Sequence, residues 1–165
     1  MTTPMMHVGA LQITTPSDNE IAMTRLFDAP RRLVYDAYTK PELVRRWAAG
    51  PEGWSFAECE MDVRVGGKWR WLLQGPGGER MGLGGVYQEV VPLEKIASTE
   101  AFDEPWYEGE ALSSVTFADN GAGTRITVRV RYASQAIRDA VLQSPMAHGM
   151  SAGFDAMERV LATLK

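Results

Sequence analysis

The chain has 165 residues, 45% of them hydrophobic and 23% charged, with a net charge of −4. That balance suits one globular domain with a sizeable core. It excludes nucleic acid as a partner, because no basic stripe is present, and a membrane span, because no apolar run approaches the roughly 20 residues one needs.

The opening MTTPMMHVGALQITTP has neither the basic nor the apolar segment of a signal peptide, and a cytoplasmic location is expected. Residues 1–8 are read as frayed and Leu11 to Thr14 as a short edge strand, followed by turn chemistry from Thr15 to Asn19. Residues 1–19 form a partly ordered N-terminal extension in this reading, and residues 20–165 a single domain. Glu20 to Phe27 is the first long strand. It carries Ile21, Met23, Arg25 and Phe27 on one parity and Ala22, Thr24 and Leu26 on the other. Pro30 suits the start of a helix, whose stripe is Leu33, Val34, Ala37 and Tyr38. Thr39 and Glu42 fit a capping box that opens a second short helix with Leu43, Val44 and Trp47. A loop follows from Ala49 to Gly53.

The centre of the chain is Cys59 to Pro92, CEMDVRVGGKWRWLLQGPGGERMGLGGVYQEVVP. It reads as strands separated by two glycine turns, at Gly66-Gly67 and at Gly75 to Gly78. Trp69, Trp71 and Leu73 alternate with Lys68, Arg70 and Leu72, so both tryptophans share one face of a sheet. Phe56 to Val65 is the strand before them and Leu93 to Phe102 the strand after. A loop from Asp103 to Gly109 carries Trp106 and Tyr107. Two more strands, Glu110 to Ala118 and Thr124 to Tyr132, are joined at Asp119 to Gly123. Beyond Ser134 the period becomes helical, with stripes at Ile137, Ala140 and Val141 and at Met150, Phe154, Met157, Leu161 and Leu164. Pro145 between them must break the helix, with Ser144 as its cap. Strands in a run with helices segregated to one side make an α+β domain.

The inventory for chemistry is thin. His7, His148 and Cys59 offer no metal-ligand spacing, and Cys59, the single cysteine, has no partner for an internal disulfide. Glu58, Glu60 and Asp62 are read as a solvated strand face with Lys68 or Arg70 as cross-strand partners. His148 is read as a surface group. The glycines at 75, 77, 78, 82, 84 and 85 do not lead into a helix, so they are turns and bends rather than a phosphate loop. No catalytic residue, metal or cofactor is assigned. Arg25, Lys68, Arg70 and Glu100 remain candidates to orient a polar group, according to which face each occupies.

Five stretches in order carry a family resemblance: Thr24 to Pro30, Ala37 to Leu43 with Trp47, Cys59 to Arg64 with Gly66-Gly67, Gly85-Val86-Tyr87 with Val91-Pro92, and Gly149-Met150 with Gly153-Phe154. Together they span about residues 20 to 165. The chain resembles the START-like, or SRPBCC, helix-grip superfamily, and within it the activator of Hsp90 ATPase homologue-like family. The resemblance implies a curved antiparallel sheet of six or seven strands gripping a long C-terminal helix, with two short helices between the first two strands and a cavity between sheet and helix. It implies no shared chemistry. Ala48 stands where the family often has a second tryptophan, and Pro145 where many relatives have glycine. Nothing corresponds to the additional N-terminal domain of the eukaryotic Hsp90 activator, so co-chaperone activity is not expected.

The expected function is binding of a small, mostly apolar or aromatic molecule in that cavity. The lining set is Trp47, Trp69, Trp71, Tyr87, Met150, Phe154 and Met157, with Trp106 and Tyr107 covering the entrance. Two alternatives stand beside it: an enzyme of the cyclase, dehydratase or hydrolase type using the same cavity, and an Hsp90-activator-like interaction module. Trp106 and Tyr107 packed in a homodimer contact would fit the second.

Overall fold

Among the described residues, nine strands and four helices follow one another, and from the second strand onward their order is the one the sequence indicates. The structure, a computed structural model, describes residues 6–165; of the residues 1–8 expected to be frayed, 1–5 lie outside the described residues, and Met6–Val8 are instead a strand paired with residues 11–13. The strands are β1 (Met6–Val8), β2 (Leu11–Ser17) and β3 (Glu20–Phe27), then β4 (Ser55–Met61), β5 (Lys68–Gln74), β6 (Arg80–Val91), β7 (Lys95–Phe102), β8 (Ala111–Asn120) and β9 (Gly123–Arg131). Helices α1 (Arg31–Thr39) and α2 (Pro41–Trp47) sit between β3 and β4, and α3 (Gln135–Gln143) and α4 (Met146–Ala162) close the chain. All pairs are antiparallel, in the order β1-β2-β3-β9-β8-β7-β6-β5-β4. β3 to β9 are the seven expected strands. β1 and β2 extend one side of the same sheet. The stretch read as an edge strand over residues 11–14 lies inside β1 and runs on to Ser17 through residues read as turn, and its Leu11 and Ile13 are buried in the core.

Three local readings need correction. Thr39 does not cap α2. It stays in α1, where its hydroxyl donates to the Tyr35 carbonyl at 2.9 Å, and Lys40 precedes Pro41 at the start of α2 with no side-chain cap. The strand read as Phe56 to Val65 ends at Met61. Asp62 to Gly67 instead form a turn, closed by Gly67 N–H to the Arg64 carbonyl at 2.8 Å and by the Arg64–Asp62 ion pair at 2.8 Å. The strand read from Leu93 starts at Lys95, because Glu94 N–H bonds back to Val91 at 2.9 Å and Leu93 takes a left-handed φ of 68°.

The break at Pro145 is where the residue types require it. Ser144 is extended, its hydroxyl donates to the Val141 carbonyl at 2.6 Å, and it accepts from Met146 N–H at 3.3 Å. The last helix is therefore in two pieces. Of the four residues expected to be buried on it, Phe154, Met157 and Leu161 are fully so and Met150 is half-buried. Helix α4 packs on α2, α1, α3 and β1.

In β3 the parity carrying Ile21, Met23, Arg25 and Phe27 faces the core. Arg25 is only 8% exposed. Its Nη2 reaches Asp155 at 3.2 Å, its guanidinium lies 4.9 Å from the Phe27 ring centroid, and its Nε and Nη1 have no acceptor among the described residues. At the other end of β3, Glu20 is buried between β2 and β9. It accepts from Arg129 Nε at 2.7 Å and from the Ser17 hydroxyl at 2.7 Å. The Arg129 bond first, then the Ser17 bond, hold its carboxyl down from 4.5 to about 2.

A depressed acid contributes stability above its unfolded value and loses it as pH falls through the folded one. The full shift corresponds to roughly 3 kcal/mol, which solvent around the half-exposed Arg129 reduces to about 1–2 kcal/mol. Glu20→Gln is expected to be less stable than wild type by that amount at pH 7, and the two should converge between pH 4.5 and 2. Urea unfolding across that range checks it. A constant gap at every pH would show that Glu20 acts through shape rather than charge.

Candidate ligand site

The face that β4 to β9 turn toward the helices is built by alternation, interrupted by bulges at Phe56/Glu58 and at Tyr87/Glu89. Trp69, Trp71 and Leu73 of β5 point inward, while Lys68 and Gln74 are exposed. The register sets Trp69 against Met61 and Gly85, and Trp71 against Cys59 and Leu83. In β7 the parity of Ile96 and Ser98 continues to Glu100 and Phe102. The four candidate polar residues are thereby sorted. Arg25 and Glu100 face inward, whereas Lys68 and Arg70 face outward. Arg70 makes a two-pronged ion pair with Asp103 at 2.5 and 2.6 Å, tethering the start of the 103–110 loop to the outer face.

Six of the nine expected ligand residues pair off in three contact groups, and Tyr87, Met150 and Met157 lie apart from those pairs or beside them. Trp47, at the end of α2, donates from Nε1 to the Ala37 carbonyl at 2.8 Å and stacks on Phe154 of α4 at 6.0 Å and 27°. Beside them lie Tyr38, at 5.1 Å from Trp47, and buried Met157. Trp69 and Trp71 form the second group, edge to face at 5.2 Å. Trp69 donates from Nε1 to the Thr99 carbonyl at 3.2 Å. The Trp71 indole N–H is buried and has no acceptor among the described residues. Tyr87 is buried on the same sheet face, and burial pushes its phenol up. Trp106 and Tyr107 form the third group, at 5.0 Å from each other, both edge-on to Phe102 at 6.2 and 6.1 Å. Trp106 is 50% exposed, whereas Tyr107 is half-buried against Tyr132 at 5.6 Å. Met150 is half-buried on α4.

Phe102 and Tyr132, which complete the third group, were not among the expected residues. The alternation of β7 and β9 carried the signal for both. Glu100 is partly buried, and burial raises its carboxyl above the usual range. Tyr107 is pushed up to about 12 by burial first and by Glu100 second, and Tyr132 is raised by burial, Tyr107 and Glu100. Glu58 and Glu60 are exposed on the outer face and Asp62 lies in the turn with Arg64, so the three form no carboxylate cluster. His148 is exposed on α4. Cys59 is a buried free thiol, raised by burial. No group of metal-ligating side chains occurs among the described residues.

Two depressions lie outside the inward face. One of about 220 Å³ sits on the outer face of β2, β3 and β9, beside Gln12, Thr24, Leu26 and Arg125. The other, of about 500 Å³, lies over the turn between β4 and β5, beside Glu60, Asp62, Arg64 and Lys68. None of the nine expected ligand residues lines either.

An open antiparallel sheet curved over a C-terminal helix, with two short helices after its first long strand, is the helix-grip arrangement of START-like domains. The family model described as "Activator of Hsp90 ATPase homolog 1-like protein" matches residues 28–162, and the chain belongs to that family. A crystal structure of a protein from Rhodobacter sphaeroides is 30% identical, with a TM-score of 0.88, over 93% of this chain and 99% of that one. Protein CV1439 from Chromobacterium violaceum is 26% identical, with a TM-score of 0.74, over 88% and 98%. Protein Ms6760 from Mycobacterium smegmatis shares the fold at 23% identity and a TM-score of 0.79, over 96% and 97%. No curated protein sequence matches. No helix among the described residues is long and apolar enough to cross a membrane.

Proposed function

We propose that the chain binds a small, mostly apolar molecule between the inward face of β5 to β8 and helix α4. The observation that carries this reading is the Trp71 indole N–H, buried on that face with no acceptor among the described residues. An unsatisfied buried donor costs about 1–3 kcal/mol, which an acceptor on a ligand would recover. The exposure pattern supports the same reading. Trp71, Phe102, Tyr107 and Met150 all turn inward yet remain partly exposed, whereas Ile21, Ile126, Phe154 and Met157 across the same layer are fully buried. Apolar pockets with one or two placed polar groups are the usual form of small-molecule sites. Burying about 300 Å² of ligand at about 25 cal/mol per Å² contributes roughly 7 kcal/mol gross. Association removes several of those, leaving micromolar affinity. In this reading Trp106 and Tyr107 cover the entrance, since loops of this kind serve as lids.

Tryptophan fluorescence with single Trp→Phe replacements tests the proposal, using the neutral N-phenyl-1-naphthylamine as the probe. The expected result is quenching assigned to Trp69 and Trp71, with Trp106→Ala altering the probe's on and off rates. Absence of binding at several hundred micromolar probe, with Trp106→Ala changing only oligomer size, would replace the ligand reading with the interaction-module one.

A further inference from the structure

Glu100 occupies a position prepared for it on both sides. The β6–β7 register, which pairs Gly84 with Ala101 and Tyr87 with Ser98, brings Gly85 opposite Glu100, and β8 sets Ala111 against its other side. Beyond Gly85 lies Trp69, and beyond Ala111 lies Tyr132, which follows β9. One row across the sheet therefore reads Trp69, glycine, glutamate, alanine, Tyr132. The two smallest side chains flank the carboxyl and two aromatic rings close the row. Phe102, two residues along the same strand face, and Tyr107, against both Phe102 and Tyr132, stand over it. No described residue donates a hydrogen bond to Glu100 or pairs with it as an ion. The other charge facing inward, Arg25, pairs across the sheet with Ile126, six residues along from Tyr132, or about 20 Å.

A half-buried carboxyl with no cationic partner among the described residues, in a row of the sheet closed at both ends by aromatic residues, has the chemistry of an ammonium receptor. The carboxylate supplies the counter-charge and the ring quadrupoles attract what remains of the cation. We propose that the molecule bound on this face is an organic amine whose ammonium group docks on Glu100 within the ring of Trp69, Phe102, Tyr107 and Tyr132. The proposal rests on the apolar-ligand reading and narrows it to cationic ligands with an apolar body. Burial raises the Glu100 carboxyl, and an ammonium in contact would act in the opposite direction, favouring the ionised form.

Calorimetric titration with 4-phenylbutylamine and with its neutral isostere 4-phenylbutan-1-ol separates amine recognition from apolar binding. Wild type is expected to bind the amine at least tenfold more tightly than the alcohol. Glu100→Gln should remove that difference by weakening the amine at least tenfold, and Glu100→Leu should do the same if the first variant folds poorly. If the alcohol binds and the amine has no advantage, or if Glu100→Gln leaves the advantage intact, the amine proposal is overturned and the apolar-ligand reading stands. If neither compound binds at millimolar concentration, both fall together.

Discussion

Phe154→Ala should lower the unfolding midpoint by about 10–15 °C. Phe154 is 1% exposed and joins three elements through ring contacts: stacked on Trp47, edge-on to Phe27 at 5.9 Å and tilted against Tyr38 at 6.5 Å. Truncating a buried phenylalanine costs about 3–5 kcal/mol, partly in transfer and partly in the cavity left behind. For a domain of this length each kcal/mol moves the midpoint about 2–4 °C. Phe154→Leu keeps most of the volume and should cost less than half as much. Differential scanning calorimetry of both variants decides the matter. A small effect from Phe154→Ala would mean that this part of the helix–sheet interface collapses around the gap, and that Trp47 and Phe154 line adaptable space instead of a fixed core.

Gly85→Ala should cost about 4 kcal/mol or prevent folding. A Cβ at Gly85 would collide with the Thr99 carbonyl oxygen and come within 2.8 Å of Trp69 Nε1. Those two atoms are hydrogen-bonded to each other at 3.2 Å, so neither can move without breaking the bond. Thr99 is further fixed by Val86 N–H, which donates to its hydroxyl at 2.9 Å. Gly149→Ala is the counter-case. Nothing lies within 4 Å of its Cβ position in α4, and alanine in a helix is favoured by about 0.5–1 kcal/mol. Circular dichroism melts of the two variants should therefore move in opposite directions. Tolerance of alanine at 85 would mean that β6 and β7 separate more easily than their register indicates, and that the space beside Glu100 is not held open by the packing of these two strands.

Much of the fold was legible from periodicity. The alternation of Trp69 and Trp71 with Lys68 and Arg70 assigns β5 and its faces, because a strand repeats every two residues whatever its partners. The switch to spacings of four and three from Met150 onward assigns α4 for the corresponding reason. Pro145 divides the last helix through its own covalent geometry, so no tertiary information was needed to see it. The boundaries read less well. Thr39 and Glu42 have the composition of a capping box, but a threonine hydroxyl can equally return to the carbonyl four residues back, and packing chose that alternative. The turn at Asp62 to Gly67 was hidden because Val63 and Arg64 continue the alternation of the strand before it.

The sequence by itself determined the order of elements from β2 onward, the two tryptophans on one face and the family to which the chain belongs. Local sterics and the side-chain period act within a few residues, so they can be read along the chain. Only the tertiary structure decided that Glu100 and Arg25 point inward while Arg70 points out to Asp103, that Trp47 stacks on Phe154, and that Phe102 and Tyr132 join Tyr107. Those relations depend on registers between strands far apart in the chain. A slip of one residue would exchange every inward side chain for an outward one, and nothing within a single strand says which register its neighbour will take.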